Sequence, residues 1–357
     1  MNDTTLILHH NDNDGKAAAA IIVNSVHNSG TGSYTLVECN YTKTLEEYVN
    51  SVSYWANCKN LYIVDYSLST DADLQFLYTL YTTLGNRLIW IDHHKTSMEK
   101  LNSPLYDDLK EIPGLRINGI SGCGLVWVYM LTKCIFVGNP SIREKLPSVF
   151  IDPVYSEYLS IYNNTEQVVS PKTAISILKN TSCPLFMQYI HRYDIWDTDD
   201  KVIYFKYGFG EKNPYDIEHI ITTYGGDEQN YVEDIISTGK LIYENIMSEN
   251  KNHVTENGFE VSVVYGDTTY NALALNTNRF SSLTFGDSIK EYDLVIPFSF
   301  DGQRWRYSMY TEKDNVDVSV LCTVMGGGGH KKASGFSSDR FIFEKHEEQS
   351  KYIINIF

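Results

Sequence analysis

The chain lacks the material for a disulfide framework or a structural zinc site. Its six cysteines, Cys39, Cys58, Cys123, Cys134, Cys183 and Cys322, are scattered, and none forms a Cys-x-x-Cys pair. They read as reduced, mostly buried small hydrophobes. No stretch approaches the roughly 18 consecutive apolar residues of a membrane span. The opening MNDTTLILHHNDND has neither a basic segment nor a small-residue cleavage signal, so a cytoplasmic protein with no membrane partner is expected. Positive charge is scarce as well: 29 Lys and Arg stand against 45 Asp and Glu, a formal net charge of −16. That balance argues against a basic face that grips long duplex nucleic acid by neutralising its phosphates. A small anionic ligand is easier to accommodate, with divalent cations held by clustered Asp and His supplying local positive potential.

What is present points to an α/β chain of more than one domain, because 357 residues exceed what one core usually serves. In the first third, strand-like apolar runs alternate with helix-like segments: LILHH with KAAAAIIVNSV, LYIVDYS with DADLQFLYTLYTTL, then RLIWIDHH with a loop. This is the pattern of a parallel sheet flanked by helices. A further helix is expected over GCGLVWVYMLTKCIF. The polar, Asn- and Ser-rich stretch near 155–182 reads as an insertion or a set of irregular loops. NYVEDIISTGKLIYENIMSENK has apolar residues at helical spacing and no proline, as a long connecting helix would. Beyond it FEVSVVYGD, YDLVIPFSF and RWRYSMYT are strand-like and precede a glycine run, which suggests a smaller second α/β domain with a glycine-rich loop. The resulting partition is 1–228, a connector helix 229–254, a second domain 255–345 and a C-terminal tail 346–357. No internal repeat or low-complexity tract is evident.

Acidic and histidine residues sit where the apolar strands end, which is where open parallel sheets bind ligands. His10, Asp12 and Asp14 alternate in HNDNDG, so in extended chain they project together. Carboxylates and an imidazole that close suit manganese or magnesium. An acidic turn capping the next helix is the competing explanation. Asp65 ends LYIVD, where an N-cap or turn role is common. Asp92, His93 and His94 end RLIWI. Adjacent histidines of an extended chain face opposite ways, so either one binds metal while the other reaches a phosphate, or the loop bends to present both. Asp92 can orient an imidazole through its second nitrogen. Gly326–Gly329 and His330 follow VSVLCTVM and precede KKASGF; glycines let backbone amides approach an anion closely, and the histidine can donate to a phosphate.

Taken together, HNDNDG, Asp65, Asp92-His93-His94 and GGGGHKKASGF resemble the DHH phosphoesterase superfamily, in the branch with a DHH-associated C-terminal domain. That branch includes RecJ-type exonucleases, nanoRNases, phosphatases of adenosine 3',5'-bisphosphate and phosphodiesterases of cyclic dinucleotides. The motifs occur in the family's order across nearly the whole chain. The resemblance implies a catalytic first domain, a substrate-binding second domain and two divalent ions, manganese first, with magnesium or cobalt as alternatives. Asp65 matches the bridging ligand, His10 and Asp12 match ligands of one ion, and Asp14 and His93 match ligands of the other. Asp194, in YIHRYDIWD, matches the remaining carboxylate, with Asp197 the competitor, His191 also nearby, and pairing with Arg192 the structural alternative. His94 matches the residue that approaches the substrate phosphate, Asp92 stands behind an imidazole, and Gly327, Gly328, Gly329 and His330 match the substrate-binding loop.

One departure concerns the strand before that loop. Ser308-Met309-Tyr310-Thr311 stands where relatives often carry an arginine, so Tyr310 could stack on a base but cannot fork onto a phosphate, and Arg304 or Arg306 could substitute. The expected activity is hydrolysis of short oligonucleotides, as by a nanoRNase or 3'-5' exonuclease. Small nucleotides (adenosine 3',5'-bisphosphate, cyclic mono- or dinucleotides) are the alternative, and a catalytically silent nucleotide-binding protein is a third reading. A homodimer is left open. Gly225-Gly226-Asp227-Glu228 is read as the start of a helix and not as a cyclase signature. Lys331 and Lys332 are read as solvated; His9 as turned away from the metals; and His27, His219, His253 and His346 as surface or core residues.

Overall fold

The computed structural model describes residues 3–28, 32–136, 171–180, 183–210, 228–345 and 352–356. The chain divides into two compact units, Met1–Lys240 and Leu241–Phe357.

In the first unit, β1 (Thr4–His10), β2 (Ser33–Cys39), β3 (Asn60–Val64) and β4 (Leu88–Ile91) form an all-parallel sheet in the order β2-β1-β3-β4. Three of these strands are almost continuously apolar because the sheet is covered on both faces. Side-chain alternation sorts them. Leu6, Leu8, Leu61, Ile63, Leu88 and Trp90 share a core with α2 (Leu45–Asn50) and α3 (Asp71–Leu84). Ile7, Tyr62, Val64, Ile89 and Ile91 share another with α1 (Asn13–Asn28) and α5 (Gly122–Phe136), while α4 is Lys95–Leu101. From β1 the chain pairs β2 on one side and β3 on the other. The strand order therefore reverses at the carboxyl ends of β1 and β3, the crevice where such sheets bind ligands.

Helices α6 (Pro171–Asn180), α7 (Leu185–Asp194), α8 (Asp200–Phe209) and α9 (Glu228–Asn257) follow. Helix α6 corrects part of the irregular stretch expected near 155–182. Ala174 and Leu178, one turn apart, pack on the core while Lys172, Ile175 and Lys179 are exposed, so the polar composition belongs to one face of an amphipathic helix. Residues 155–170 and 181–182 lie outside the described residues, as do His219, His346 and Gly225–Asp227; Glu228 opens α9. Helices α8 and α9 cross at two glycines. A Cβ on Gly208 would stand 2.0 Å from the Ile235 carbonyl oxygen, and one on Gly239 would stand 1.8 Å from that of Tyr204.

The second unit holds an eight-stranded mixed sheet. Its strands are β5 (Phe259–Tyr265), β6 (Thr268–Asn276), β7 (Leu294–Phe300), β8 (Trp305–Tyr310), β9 (Gly328–His330), β10 (Ala333–Ser338), β11 (Glu344–Lys345) and β12 (Tyr352–Ile356), in the order β11-β12-β5-β6-β7-β8-β10-β9. Helix α10 (Val318–Val324) packs Val318, Leu321 and Cys322 on one face, and Phe285, Ile289 and Val254 cover the other. Strand β12 falls in the stretch read from sequence as a tail. It pairs in parallel with β5 and buries Ile354 and Ile356. Cys39, Cys58, Cys123, Cys183 and Cys322 are buried thiols outside any disulfide. Among the described residues no helix is long and apolar enough to cross a membrane.

The glycine crossing is directly testable. Gly239→Ala is expected to lower the unfolding free energy by about 1–3 kcal/mol through overpacking. Gly210→Ala, whose nearest new contact is an ordinary 3.6 Å, should leave it within about 0.5 kcal/mol. Urea unfolding of the two variants measures both.

Candidate metal centre

The candidate ligands gather at the reversal of strand order. β1 delivers His10 and α1 begins at once, so Gly15 lies against the strand end: a Cβ there would stand 2.3 Å from the His10 carbonyl oxygen. Asp12 accepts a hydrogen bond from the Gly15 amide on Oδ1 (2.9 Å) and places Oδ2 2.8 Å from His10 Nδ1. Asp14, 3% exposed, accepts from the amides of Gly122 (2.5 Å) and Cys123 (2.9 Å) at the start of α5. Capping and ligation are thus compatible. Asp12 caps its own helix with one oxygen, and Asp14 caps a helix more than a hundred residues away, whose N-terminal dipole favours its charge.

Asp65 follows β3 with φ of 53°, a left-handed conformation that strains a non-glycine residue and is found where neighbours over-determine the backbone. Its amide donates to the Ile91 carbonyl, 2.9 Å away. The side chain is 1% exposed and neither carboxylate oxygen has a hydrogen-bond partner. Gly122 makes room for it: a Cβ there would stand 2.6 Å from Asp65 Cβ and 2.8 Å from its Oδ1.

After β4 the loop bends so that both imidazoles are presented, their centres 4.6 Å apart and planes inclined at 56°. His93 Nε2 lies 3.1 Å from Asp65 Oδ1 and 3.9 Å from Asp14 Oδ2, and His93 Nδ1 lies 3.6 Å from Asp194 Oδ2. Asp92 is fully buried and its Oδ1 accepts from the amides of His93 (2.9 Å) and His94 (3.3 Å) and from His94 Nδ1 (2.6 Å). An ionised carboxylate only accepts, so Nδ1 carries the proton there and the tautomer of His94 is set.

Three overlapping groups result: His10, Asp12 and Asp65; Asp14, His93 and Asp194; and Asp65, His93 and His94. In each group one ligand atom per residue lies within 4.8 Å of the others. Asp194 is in the cluster. Asp197 is exposed and, with Asp199, holds Arg192 at 3.0 and 2.9 Å, so the pairing weighed for Asp194 belongs to its neighbours. His191 meets Ser121 Oγ at 3.2 Å and braces the start of α5. His9 is fully buried and donates from Nδ1 to the His10 carbonyl (2.8 Å), away from the cluster.

The electrostatics fit a cation. Burial, then the charges of Asp14, Asp12, Asp194 and Asp92, push the Asp65 carboxyl well above its usual range. Burial, then Asp14 and Asp12, push Asp194 up to about 8 against the opposing pull of His94. Burial alone would raise Asp12 as well, but the contacts with His10 and the Gly15 amide hold it down at about 2. Burial lowers His93 despite the surrounding carboxylates and keeps the neutral form that ligates. Oxygen-rich donors with neutral imidazoles suit manganese or magnesium.

Two contributors escaped the sequence. Gly122 is signalled only by the small residues that open GCGLVWV. Tyr41, 58% exposed, stacks on Tyr66 (5.2 Å, 12°) and leans over His10 (5.3 Å) with no motif to announce it.

In the second unit the glycine run begins as a turn and continues into β9, paired antiparallel with β10. Gly327 is pressed against β10, where a Cβ would stand 2.1 Å from the Gly335 carbonyl oxygen. Arg304 is paired with Asp339 (2.7 Å). Arg306 is exposed beside the Phe280 ring, on the face of β8 that also carries Ser308 and Tyr310. Tyr310 donates its hydroxyl proton to the Phe280 carbonyl (3.0 Å). Lys331 is exposed, Lys332 meets Asp314 at 2.9 Å, and His253 Nε2 donates to the Asn276 carbonyl at 3.0 Å.

With divalent cations chelated, the raised carboxyl of Asp194 contributes stability that is complete below about pH 4 and is lost as pH rises through about 8. Between those values wild type should therefore lose stability relative to Asp194→Asn, and a set of urea midpoints reads the difference. Gly122→Ala should displace Asp65 and weaken the cap on Asp14. Millimolar manganese is expected to raise the Tm of wild type, and that rise should shrink by about half or more in the variant, as thermal melts with and without the ion would show.

No protein-family model matches the sequence, and no curated protein is significantly similar to it. Solved structures are similar. The DHH domain of a member of a ribosomal-protein family matches over 93% of this chain and 82% of its own, with 13% identity and a TM-score of 0.51. RecJ from Thermus thermophilus, solved in complex with Mn2+, matches over 94% of this chain and 49% of its own, with 14% identity and a TM-score of 0.47. An exopolyphosphatase-related protein from Bacteroides fragilis matches over 95% and 88%, with 13% identity and a TM-score of 0.47. The fold of this chain is that of the DHH-domain proteins.

Proposed function

We propose that the chain is a metal-dependent phosphoester hydrolase that cleaves short oligonucleotides. The observation that carries this reading is the pair of ligand groups, His10-Asp12-Asp65 and Asp14-His93-Asp194, set side by side with Asp65 also against His93. Two divalent cations, manganese in the first place, are the proposed occupants; His10, Asp12 and Asp65 would hold one, and Asp14, His93 and Asp194 the other. When bound, such ions polarise a phosphoryl group and make water nucleophilic at neutral pH.

The chain's own groups supply the rest. Against the opposing effect of burial, the Asp92 contact at Nδ1–H raises the pKa of His94, and the imidazolium so favoured donates from Nε2 to a phosphoryl oxygen, a fixed donor that needs no reorganisation as charge develops. The α5 amides fix Asp14, and the Gly15 amide fixes Asp12, so both carboxylates are oriented before any ligand arrives. In the second unit Arg306 and the Gly327-Gly328-Gly329-His330 run are the proposed substrate contacts. Arg306 is preferred to Arg304, which is engaged with Asp339. A net charge of −16 favours short substrates over long strands. A second reading, hydrolysis of a small nucleotide, draws on the modest cavity of about 290 Å³ beside the cluster.

The test is hydrolysis of end-labelled RNA and DNA two to ten nucleotides long in manganese, beside a panel of small nucleotides. Release of mononucleotides that Asp65→Ala reduces by about 10²–10³-fold or more is expected. Turnover of small nucleotides alone moves the assignment to the second reading, and absence of turnover on every substrate contradicts both.

A further inference from the structure

The cavity beside the carboxylate cluster has a cation and an aromatic wall that the proposed hydrolysis does not use. Asp12, Asp14 and Asp194 line it together with Tyr189, Tyr193 and Lys206, and its volume of about 290 Å³ falls just short of the roughly 300–1,000 Å³ typical of small-molecule sites, enough for one nucleotide unit of a longer substrate. Tyr189 and Tyr193 are four residues apart on α7 and so share a face. Phe205 stacks against Tyr189 (5.0 Å, 17°) and fixes that ring.

Lys206, in the last turn of α8, is half-buried. Its ammonium lies 4.1 Å from the centre of the Tyr207 ring and 5.8 Å from that of Tyr193. Cation–π contacts of this kind position an ammonium without neutralising it. Although three carboxylates line the same cavity, Lys206 makes no ion pair among the described residues, so its charge is available to a ligand. Burial lowers its pKa, the mark of a partly desolvated ammonium that gains more from an anion than a solvated one would. A bare phosphate would have no use for the aromatic wall, and an apolar ligand would leave the cation unmatched. A nucleotide carries both an anion and a ring, and aromatic side chains accept any base by stacking.

We propose that this cavity is the subsite for the nucleotide adjoining the scissile phosphate, with Lys206 taking that nucleotide's own phosphate and Tyr193 flanking its base. The assignment rests on the proposed hydrolase reading for the position of the scissile phosphate. It makes the second phosphate of the substrate a determinant of affinity.

The test compares a 5'-phosphorylated dinucleotide with the same dinucleotide lacking the terminal phosphate, on the manganese-loaded full chain. Wild type should show a KM at least tenfold lower for the phosphorylated form at similar kcat, Lys206→Gln should bring the two KM values together, and Lys206→Arg should restore most of the gap. Calorimetry with the matching pair of methylphosphonate dinucleotides, which cannot be cleaved at the central linkage, should show the same tenfold preference and the same loss; Tyr193→Ala should weaken both ligands alike. If wild type cleaves neither dinucleotide yet binds the phosphorylated analogue through Lys206, the subsite stands and the oligonucleotide reading falls. Binding that is absent, or that Lys206→Gln leaves unchanged, overturns the subsite whatever the turnover.

Discussion

Mutual repulsion among Asp12, Asp14, Asp65 and Asp194 is the constraint on which the first unit is built. The reversal of strand order between β1 and β3 brings their loops to one crevice, and α7 adds Asp194 to it. Removing like charges from water at such separations is unfavourable, and the raised carboxyls of Asp65 and Asp194 express that cost. The cluster persists because backbone groups hold its rim. Amides fix Asp12, Asp14 and Asp92, while both oxygens of Asp65 and one of Asp194 are left without a hydrogen-bond partner. Fixed oxygens around unpartnered ones are what a preformed cation site requires.

Glycines decide how closely the pieces approach. Gly15 lets α1 start against the end of β1, and Gly122 lets α5 reach Asp65 while offering its amide to Asp14. A side chain at either place would separate the cap from the carboxylate that it holds. The strained backbone of Asp65 belongs to the same arrangement, since its amide is tied to β4 while its side chain is aimed into the crevice. The proposed chemistry then follows from position: His94, oriented by Asp92 and donating as the imidazolium, faces the crevice, and the aromatic and cationic cavity alongside supplies a place for more of the substrate.

Much of this was legible in the residues. Apolar strands that end in Asp and His disclosed the parallel sheet and the edge where these candidate ligands gather, because burial on both faces forces continuous apolar runs and polar residues interrupt them only where a strand ends. HNDNDG and Asp92-His93-His94 gave their residues by type and spacing. The choice between Asp194 and Asp197 was not readable, since it depends on how far α7 runs before it ends and on Arg192 engaging Asp197 and Asp199. Helix α6 was hidden by a polar average over a longer stretch, and β12 by its short length and its pairing with a strand about ninety residues earlier. Gly122 and Lys206 act through approach and neighbourhood, which one-dimensional spacing does not record.

The most direct measurement is a manganese titration of the full chain followed by electron paramagnetic resonance. Ions held side by side and sharing Asp65 should saturate at two per chain and give the broadened spectrum of an exchange-coupled pair. A six-line spectrum of isolated ions at saturation, or no tight binding, would contradict a paired centre.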